Sequence, residues 1–233
     1  MRQFNSSIGM PIFKTKNEKF FKEWSAEMAY VLGFFIADGS MIINKRGGRY
    51  IDFWVTDYDI LKRIRKVLGS NHKIKKKKRR KEDKAIYRLQ IGSKEMFDDL
   101  LKLSVKPNKT GYEKMPKVAK EYLADFVRGY FDGDGTVSFS NYYQKDRDEI
   151  KKIIISGFTC KSKSFLEEIK ERLYYEKVVN GSTLYYGGRA WRLRFSINDS
   201  RKLYDFMYSG KCKNGLYLKR KRNVFEKFFK MDP

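Results

Sequence analysis

The sequence predicts an α+β fold built from two similar halves, each running helix, two strands, helix, two strands, helix. Three observations carry this. Val31–Gly39 reads VLGFFIADG and Val127–Gly135 reads VRGYFDGDG, both apolar segments with an early glycine and a closing acid–glycine pair. YRLQI at 87–91 is answered by WRLRF at 191–195, and both alternate apolar and polar residues as a strand with one buried face does. Between these landmarks the apolar spacing changes from helical to alternating in the same order twice, the mark of an internal repeat. Four strands with one apolar face and helices behind them make an α+β half.

Taken in order, residues 1–16 read as a loose arm and Asn17–Trp24 as a short lead-in helix. Ser25 is a suitable N-cap for the first motif helix. Alternating segments follow at Ser40–Asn44 and Tyr50–Thr56. Ile60, Leu61, Ile64, Val67 and Leu68 recur at helical spacing and predict a helix over Asp57–Leu68. Strands fit Lys73–Lys77 and Ala85–Ile91, and a helix fits Lys94–Leu103. The second half repeats the order: strands at Thr136–Asn141 and Lys152–Cys160, then a helix at Ser162–Tyr174. Strands at Lys177–Val179 with Thr183–Tyr186 and at Arg189–Ile197 follow, then a helix at Asp199–Tyr208. Leu218–Lys230 reads as a basic amphipathic helix with Val224, Phe225, Phe228 and Phe229 on one side. The expected organisation is therefore an arm and lead-in helix (1–24), a first half (25–104), a linker (105–120) and a second half with the basic helix (121–233).

Lys and Arg number 52 against 28 Asp and Glu, a net charge of +24. Such an excess is self-repelling and calls for a polyanionic partner; nucleic acid answers it, because binding releases counterions from dense phosphates. A membrane partner is not expected, since the longest apolar run, Met28–Ala37, is too short to span a bilayer, and the N-terminus lacks signal-peptide order. Cys160 and Cys212 show no Cys-x-x-Cys spacing, so neither a disulfide framework nor a structural zinc site is expected. With His72 the sole histidine, His-based metal sites and triads are also unexpected.

The motif helices carry small residues on one face: Ala29, Gly33 and Ala37 in the first, Gly129 and Gly133 in the second. Small residues four apart let two helix backbones approach closely, and a helical glycine otherwise costs about 1 kcal/mol against alanine. Packed side by side, the helices would bring Asp38 and Asp134 together at their C-terminal ends, where the chain turns into a strand at Gly39 and Gly135. Two carboxylates there repel each other and oppose the helix dipoles. A divalent cation relieves both, and Mg2+ suits a few carboxylates, carbonyls, waters and substrate phosphates.

The paired motifs, with both acids intact and the repeat around them, resemble the LAGLIDADG homing endonucleases in their single-chain, two-motif form. The resemblance covers roughly residues 25–230. It implies two pseudo-twofold-related αββαββα halves forming a β-saddle, with the motif helices at its centre. It implies catalytic metal at Asp38 and Asp134, with the backbone carbonyls of Ala37 and Gly133 as further ligands. Two or three Mg2+ would be shared by the acids, with Mn2+ or Ca2+ able to substitute in binding. Asp132 matches an earlier acid of the family pattern, but Ile36 stands there in the first copy. Lys161 matches a family lysine near the scissile phosphates, whereas the first half has Thr56 and Asp57 at that place. The activity implied is site-specific double-strand DNA cleavage by a monomer, leaving short 3′ overhangs, in the compartment holding the host DNA, a prokaryotic cytoplasm or an organelle.

In such a fold the residues two, four and six after each acid face the duplex: Ser40, Ile42 and Asn44, and Thr136, Ser138 and Ser140. Met41, Ile43, Val137 and Phe139 then fit the core side. Arg46, Arg49, Arg88, Gln90, Arg192 and Arg194 extend the polar face, and Arg, Gln and Asn are good base readers. The seven-cation run Lys75–Lys81, including Lys75 and Lys77, suits phosphates at a hairpin tip. A non-cleaving DNA-binding regulator or an RNA maturase on the same scaffold is the alternative. An intein is less expected, because the chain lacks a splicing nucleophile at its start and a His-Asn ending.

Overall fold

The computed structural model describes residues 13–78, 84–108, 110–210 and 215–231. Residues 1–12 of the arm, Arg79–Lys81 of the cationic run, Cys212 and residues 232–233 lie outside the described residues. The first half comprises α1 (Ala26–Asp38), β1 (Gly39–Ile43), β2 (Arg49–Val55), α2 (Tyr58–Val67), β3 (Lys75–Lys77), β4 (Ile86–Gly92) and α3 (Lys94–Lys102). The second comprises α4 (Lys120–Asp134), β5 (Gly135–Gln144), β6 (Glu149–Cys160), α5 (Lys163–Tyr175), β7 (Thr183–Gly187), β8 (Ala190–Phe195) and α6 (Ile197–Tyr208), followed by α7 (Lys219–Met231). The fold is α+β, with two antiparallel four-stranded sheets in matching orders, β1-β2-β4-β3 and β5-β6-β8-β7.

Local sequence explains the helix starts. Ser25, Asp57, Ser93, Ser162 and Ser196 each accept a hydrogen bond from the backbone N–H three residues on, capping α1, α2, α3, α5 and α6. Helices α1 and α4 pack against each other at the centre of the molecule, and every residue from Met28 to Ile36 is buried. A helix that is apolar all round belongs inside a core. Their crossing depends on two glycines. A Cβ on Gly33 would lie 2.2 Å from the Phe126 carbonyl oxygen, and one on Gly129 would lie 2.0 Å from that of Tyr30. The two backbones therefore touch where a side chain would separate them.

Three elements differ from expectation. Asn17–Trp24 forms turns, not a lead-in helix. The Asn17 side chain accepts from the Lys19 N–H, and its own N–H donates to the Leu68 carbonyl, while Phe20 and Phe21 anchor the segment in the core. Lys177–Val179 is not a strand; Lys177 turns the chain at φ 56° and the two valines are apolar because they are buried. Third, the β5–β6 hairpin is longer than expected, with pairing that continues to Gln144 opposite Glu149. β5 has 10 residues and β6 has 12, against 5 and 7 in β1 and β2. No helix among the described residues is long and apolar enough to cross a membrane.

Candidate functional site

Helices α1 and α4 end on Asp38 and Asp134, both half-buried. A Cβ built on Gly133 would meet the Ala37 Cβ at 2.2 Å and Asp38 Oδ2 at 3.4 Å. The Asp38 carboxylate thus lies against the residue immediately before Asp134. Ala29, Gly33 and Gly129 are buried along the same helix pair, with Ala37 and Gly133 at its end. Gly39 and Gly135 have ordinary negative φ; a Cβ there would strike the Phe35 and Phe131 rings at 2.2 and 2.4 Å. They are glycines for space rather than for backbone freedom.

The surroundings of the two acids are unequal. Lys221, from the first turn of α7, is buried and donates its Nζ to the carbonyls of Phe131, Asp132 and Gly135 at 2.7 Å and of Gly133 at 3.1 Å. An ammonium there satisfies carbonyls left open at a helix C-terminus and opposes its negative end. Burial lowers the Lys221 pKa to about 8, while Asp132, Asp38 and Asp134 act to raise it. Asp132 is itself buried. It accepts from Tyr30 Oη and from the Leu218 N–H, both at 2.7 Å, and from Tyr208 Oη at 3.4 Å. Burial raises its carboxyl to about 6, against the pull of the Tyr30 hydrogen bond and of Lys221. Arg128, also buried, donates to the Leu216 and Met207 carbonyls and to Asp125. Helix α4 is therefore tied to α1, α6 and the segment entering α7 by one polar cluster. In α1 the place of Asp132 is taken by buried Ile36.

Nothing in the sequence marked Lys221, one cation in a KRKR run. Lys161 is exposed and sits beside Gly111 of the linker. Among the described residues no group of three or more His, Cys, Asp and Glu side chains is placed to hold a metal ion. Asp38, Asp134 and the carbonyls of Ala37 and Gly133, the last already bound by Lys221 at 3.1 Å, would offer a cation oxygen donors alone. That set fits a hard divalent cation, provided that water and a phosphate complete the shell.

Outward from the acids, Ser40 lies opposite Asp52, and Thr136 opposite Gly157. Thr136, Ser138 and Ser140 are exposed and Ser40 and Ile42 half-buried, while Met41, Val137 and Phe139 pack on the core. Ile43, expected on the core side, is 56% exposed at the end of its short strand. Asn44 is spent on the β1–β2 turn: its Oδ1 accepts from the Arg46 and Gly48 N–H groups, and its Nδ2 donates to Tyr50 Oη. Arg46 is exposed in that turn. Arg49 departs from the expected polar face. It shares the strand side of Ile51 and Phe53, pairs with Asp98 and lies over the Phe97 ring, so it faces α3. Lys75 and Lys77 are exposed, with Lys77 over the Trp54 ring. Gln90 is half-buried. Arg88 pairs with Asp52, Arg194 donates to Thr136 Oγ1 at 2.8 Å, and the Nε of Arg192 is buried with no partner among the described residues. Asp52 was missed, although it occupies the polar side of a strand beside that of Arg88.

The sequence matches the family model described as "LAGLIDADG-like domain" over residues 25–103 and 121–206. Among solved structures, the fold is similar to that of I-SmaMI bound to uncleaved DNA in the presence of calcium, with a TM-score of 0.62, 13% identity, and coverage of 89% of this chain and 90% of that one. The meganuclease I-CpaMI bound to uncleaved DNA gives 0.58 and 14%, covering 89% and 90%. Variants of the homing endonuclease I-DmoI give 0.53 and 16%, covering 80% and 97%. No curated protein sequence matches.

Proposed function

Because the chain belongs to the LAGLIDADG-like domain family, we propose that it is a divalent-metal-dependent, site-specific DNA endonuclease that acts as a single chain. The observation that carries this reading is the meeting of two motif acids at the ends of two helices whose backbones touch. Relatives of the same fold crystallise on DNA targets, one of them with calcium, which supports a duplex substrate and a divalent cofactor.

In this reading Asp38 and Asp134 would hold two or three shared divalent ions, with Mg2+ the working ion, and the Ala37 and Gly133 carbonyls would complete the protein's share. When bound, such ions activate water and offset charge on the scissile phosphates. The chain supplies the rest. The α1–α4 contact fixes the acids' spacing, and Lys221 keeps the end of α4 closed while adding positive charge beside Asp134. The half-buried row beginning at Ser40 and the exposed row beginning at Thr136 meet the duplex, and Lys75, Lys77 and Arg46 hold phosphates. The unequal surroundings of the acids predict unequal cleavage rates on the two strands; the family resemblance adds short 3′ overhangs as the product.

The test is a cleavage screen on a randomised duplex library with and without Mg2+. Sequence-specific cut products are expected only with the metal. Asp38→Asn and Asp134→Asn should each abolish double-strand cleavage while retaining binding. Specific binding without any cut product from the unaltered protein would overturn the endonuclease in favour of a non-cleaving regulator. Selective binding of structured RNA would point to a maturase.

A further inference from the structure

The open faces of the two sheets handle their arginines differently. In the first half, Asp52 is wholly buried under Arg88. Arg88 donates through Nε to both carboxylate oxygens at 2.9 Å and through Nη2 to Oδ2 at 2.6 Å. Trp54 Nε1 donates to the same Oδ2 at 2.9 Å, and the Trp54 ring lies 4.7 Å from the guanidinium carbon. One edge of the guanidinium is therefore held by the carboxylate and one face by the indole. Nη1 makes no hydrogen bond among the described residues, so the end-on fork of Nη1 and Nη2 remains available.

The second half has the same register and different chemistry. The row Ser40–Asp52–Gln90 corresponds to Thr136–Gly157–Arg194, and the pair Trp54–Arg88 to Thr159–Arg192. Gly157 replaces the acid, and a Cβ there would meet Arg194 Cδ at 3.0 Å and the Leu193 carbonyl oxygen at 2.1 Å. Arg194 crosses the space so left to reach Thr136. No carboxylate among the described residues pairs with Arg192 or Arg194; their neighbours are the hydroxyls of Thr136 and of Tyr185, which stands opposite Arg192 and interacts with both arginines.

We propose that Asp52 and Trp54 are positioning residues that fix Arg88 as a reader of one guanine in the major groove, and that the second half has no counterpart held by a carboxylate. The inference rests on the DNA-binding reading above. Two physical points select a base over a phosphate as the Arg88 partner. A planar fork held at one edge and one face has its remaining donors aimed, and guanine O6 and N7 require an aimed pair. A buried carboxylate also cancels most of the arginine's charge, which removes the attraction on which phosphate contacts depend. Arg192 and Arg194 keep their charge and suit phosphates or several bases. Asp52, wholly buried, does not touch the duplex.

The experiment is sequencing of the duplexes bound by the full chain in Ca2+, from a library randomised across the bound length. The unaltered protein should select guanine at one position on the first-half side. Arg88→Lys keeps the charge and loses the fork. It should lower that preference about tenfold at that position alone, with little change elsewhere. Asp52→Asn should also relax the guanine and, by unmasking a charge, tighten binding to unrelated duplex and steepen its salt dependence by about one ion. A purely structural role for Asp52 would instead weaken all binding together. Arg192→Lys should leave every single-base preference within about twofold. An unchanged guanine preference in Arg88→Lys overturns the proposal, as does uniform loss of binding in a folded Asp52→Asn protein. Selection of no sequence by the unaltered protein would overturn the DNA reading itself, a separate result.

Discussion

Lys221 illustrates how one side chain serves stability and site together. Its ammonium makes four hydrogen bonds to carbonyls at the end of α4 and faces buried Asp132. Removing one partner of a buried charge cluster leaves the others unpaired, which costs about 3 kcal/mol or more. Lys221→Met should therefore lower the unfolding free energy by about that amount. Lys161→Met, at an exposed position, should change it by less than about 0.5 kcal/mol. Urea unfolding of both variants checks the contrast. The lesson for reading sequences lies in this pair. Lys161 stood next to a strand end whose counterpart in the other half could be counted out. Lys221 acquires its role from a helix folding back onto α4, a contact between residues far apart in sequence that no local spacing encodes.

At the scale of elements, the α1–α4 contact holds the halves together, and it is the part most legible beforehand. Gly33 and Gly129 could be named from four-residue spacing because the steric reason is local to each helix. Their effect is testable. Gly129→Ala places a methyl group 2.0 Å from the Tyr30 carbonyl oxygen, which is backbone and cannot step aside. The helices must separate, and a loss of about 3 kcal/mol is expected; denaturant unfolding with both halves' aromatic fluorescence would show it. The strand faces were legible by alternation in the middle of a sheet, as at Leu89 and Ile91, and less so at strand ends such as Ile43. Alternation misled at Arg49, where the register puts a cation on the helix side with Asp98 as its partner. It misled again at Lys177–Val179, where burial in a turn imitates a strand. The turn use of Asn44 was invisible for the same reason: polar side chains choose between partners only after the chain has bent.

At the scale of the whole molecule, a net charge of +24 sets the terms of any encounter with a duplex. Affinity for unrelated DNA should fall about 10³-fold or more between 50 and 200 mM salt. Fluorescence anisotropy with a labelled duplex of arbitrary sequence measures this, and a flat salt response would show that the positive charge is not what grips the backbone. The specific component should be less sensitive, because a neutralised arginine such as Arg88 contributes contacts without releasing ions.

The two hairpins beside the acids also act as rulers of different length. β5 exceeds β1 by five residues, and β6 exceeds β2 by the same number. At about 3.4 Å per residue that excess is about 17 Å, or about five base-pair steps of B-form DNA. A duplex lying along both hairpins is therefore covered farther on the side of the second half. Hydroxyl-radical footprinting should find the protected stretch reaching about five base pairs farther on one side of the cleavage point than on the other, and a footprint centred on it would show that the longer hairpin bends away. An off-centre footprint would mean that mutations in the genome are tolerated unequally on the two flanks of the cut.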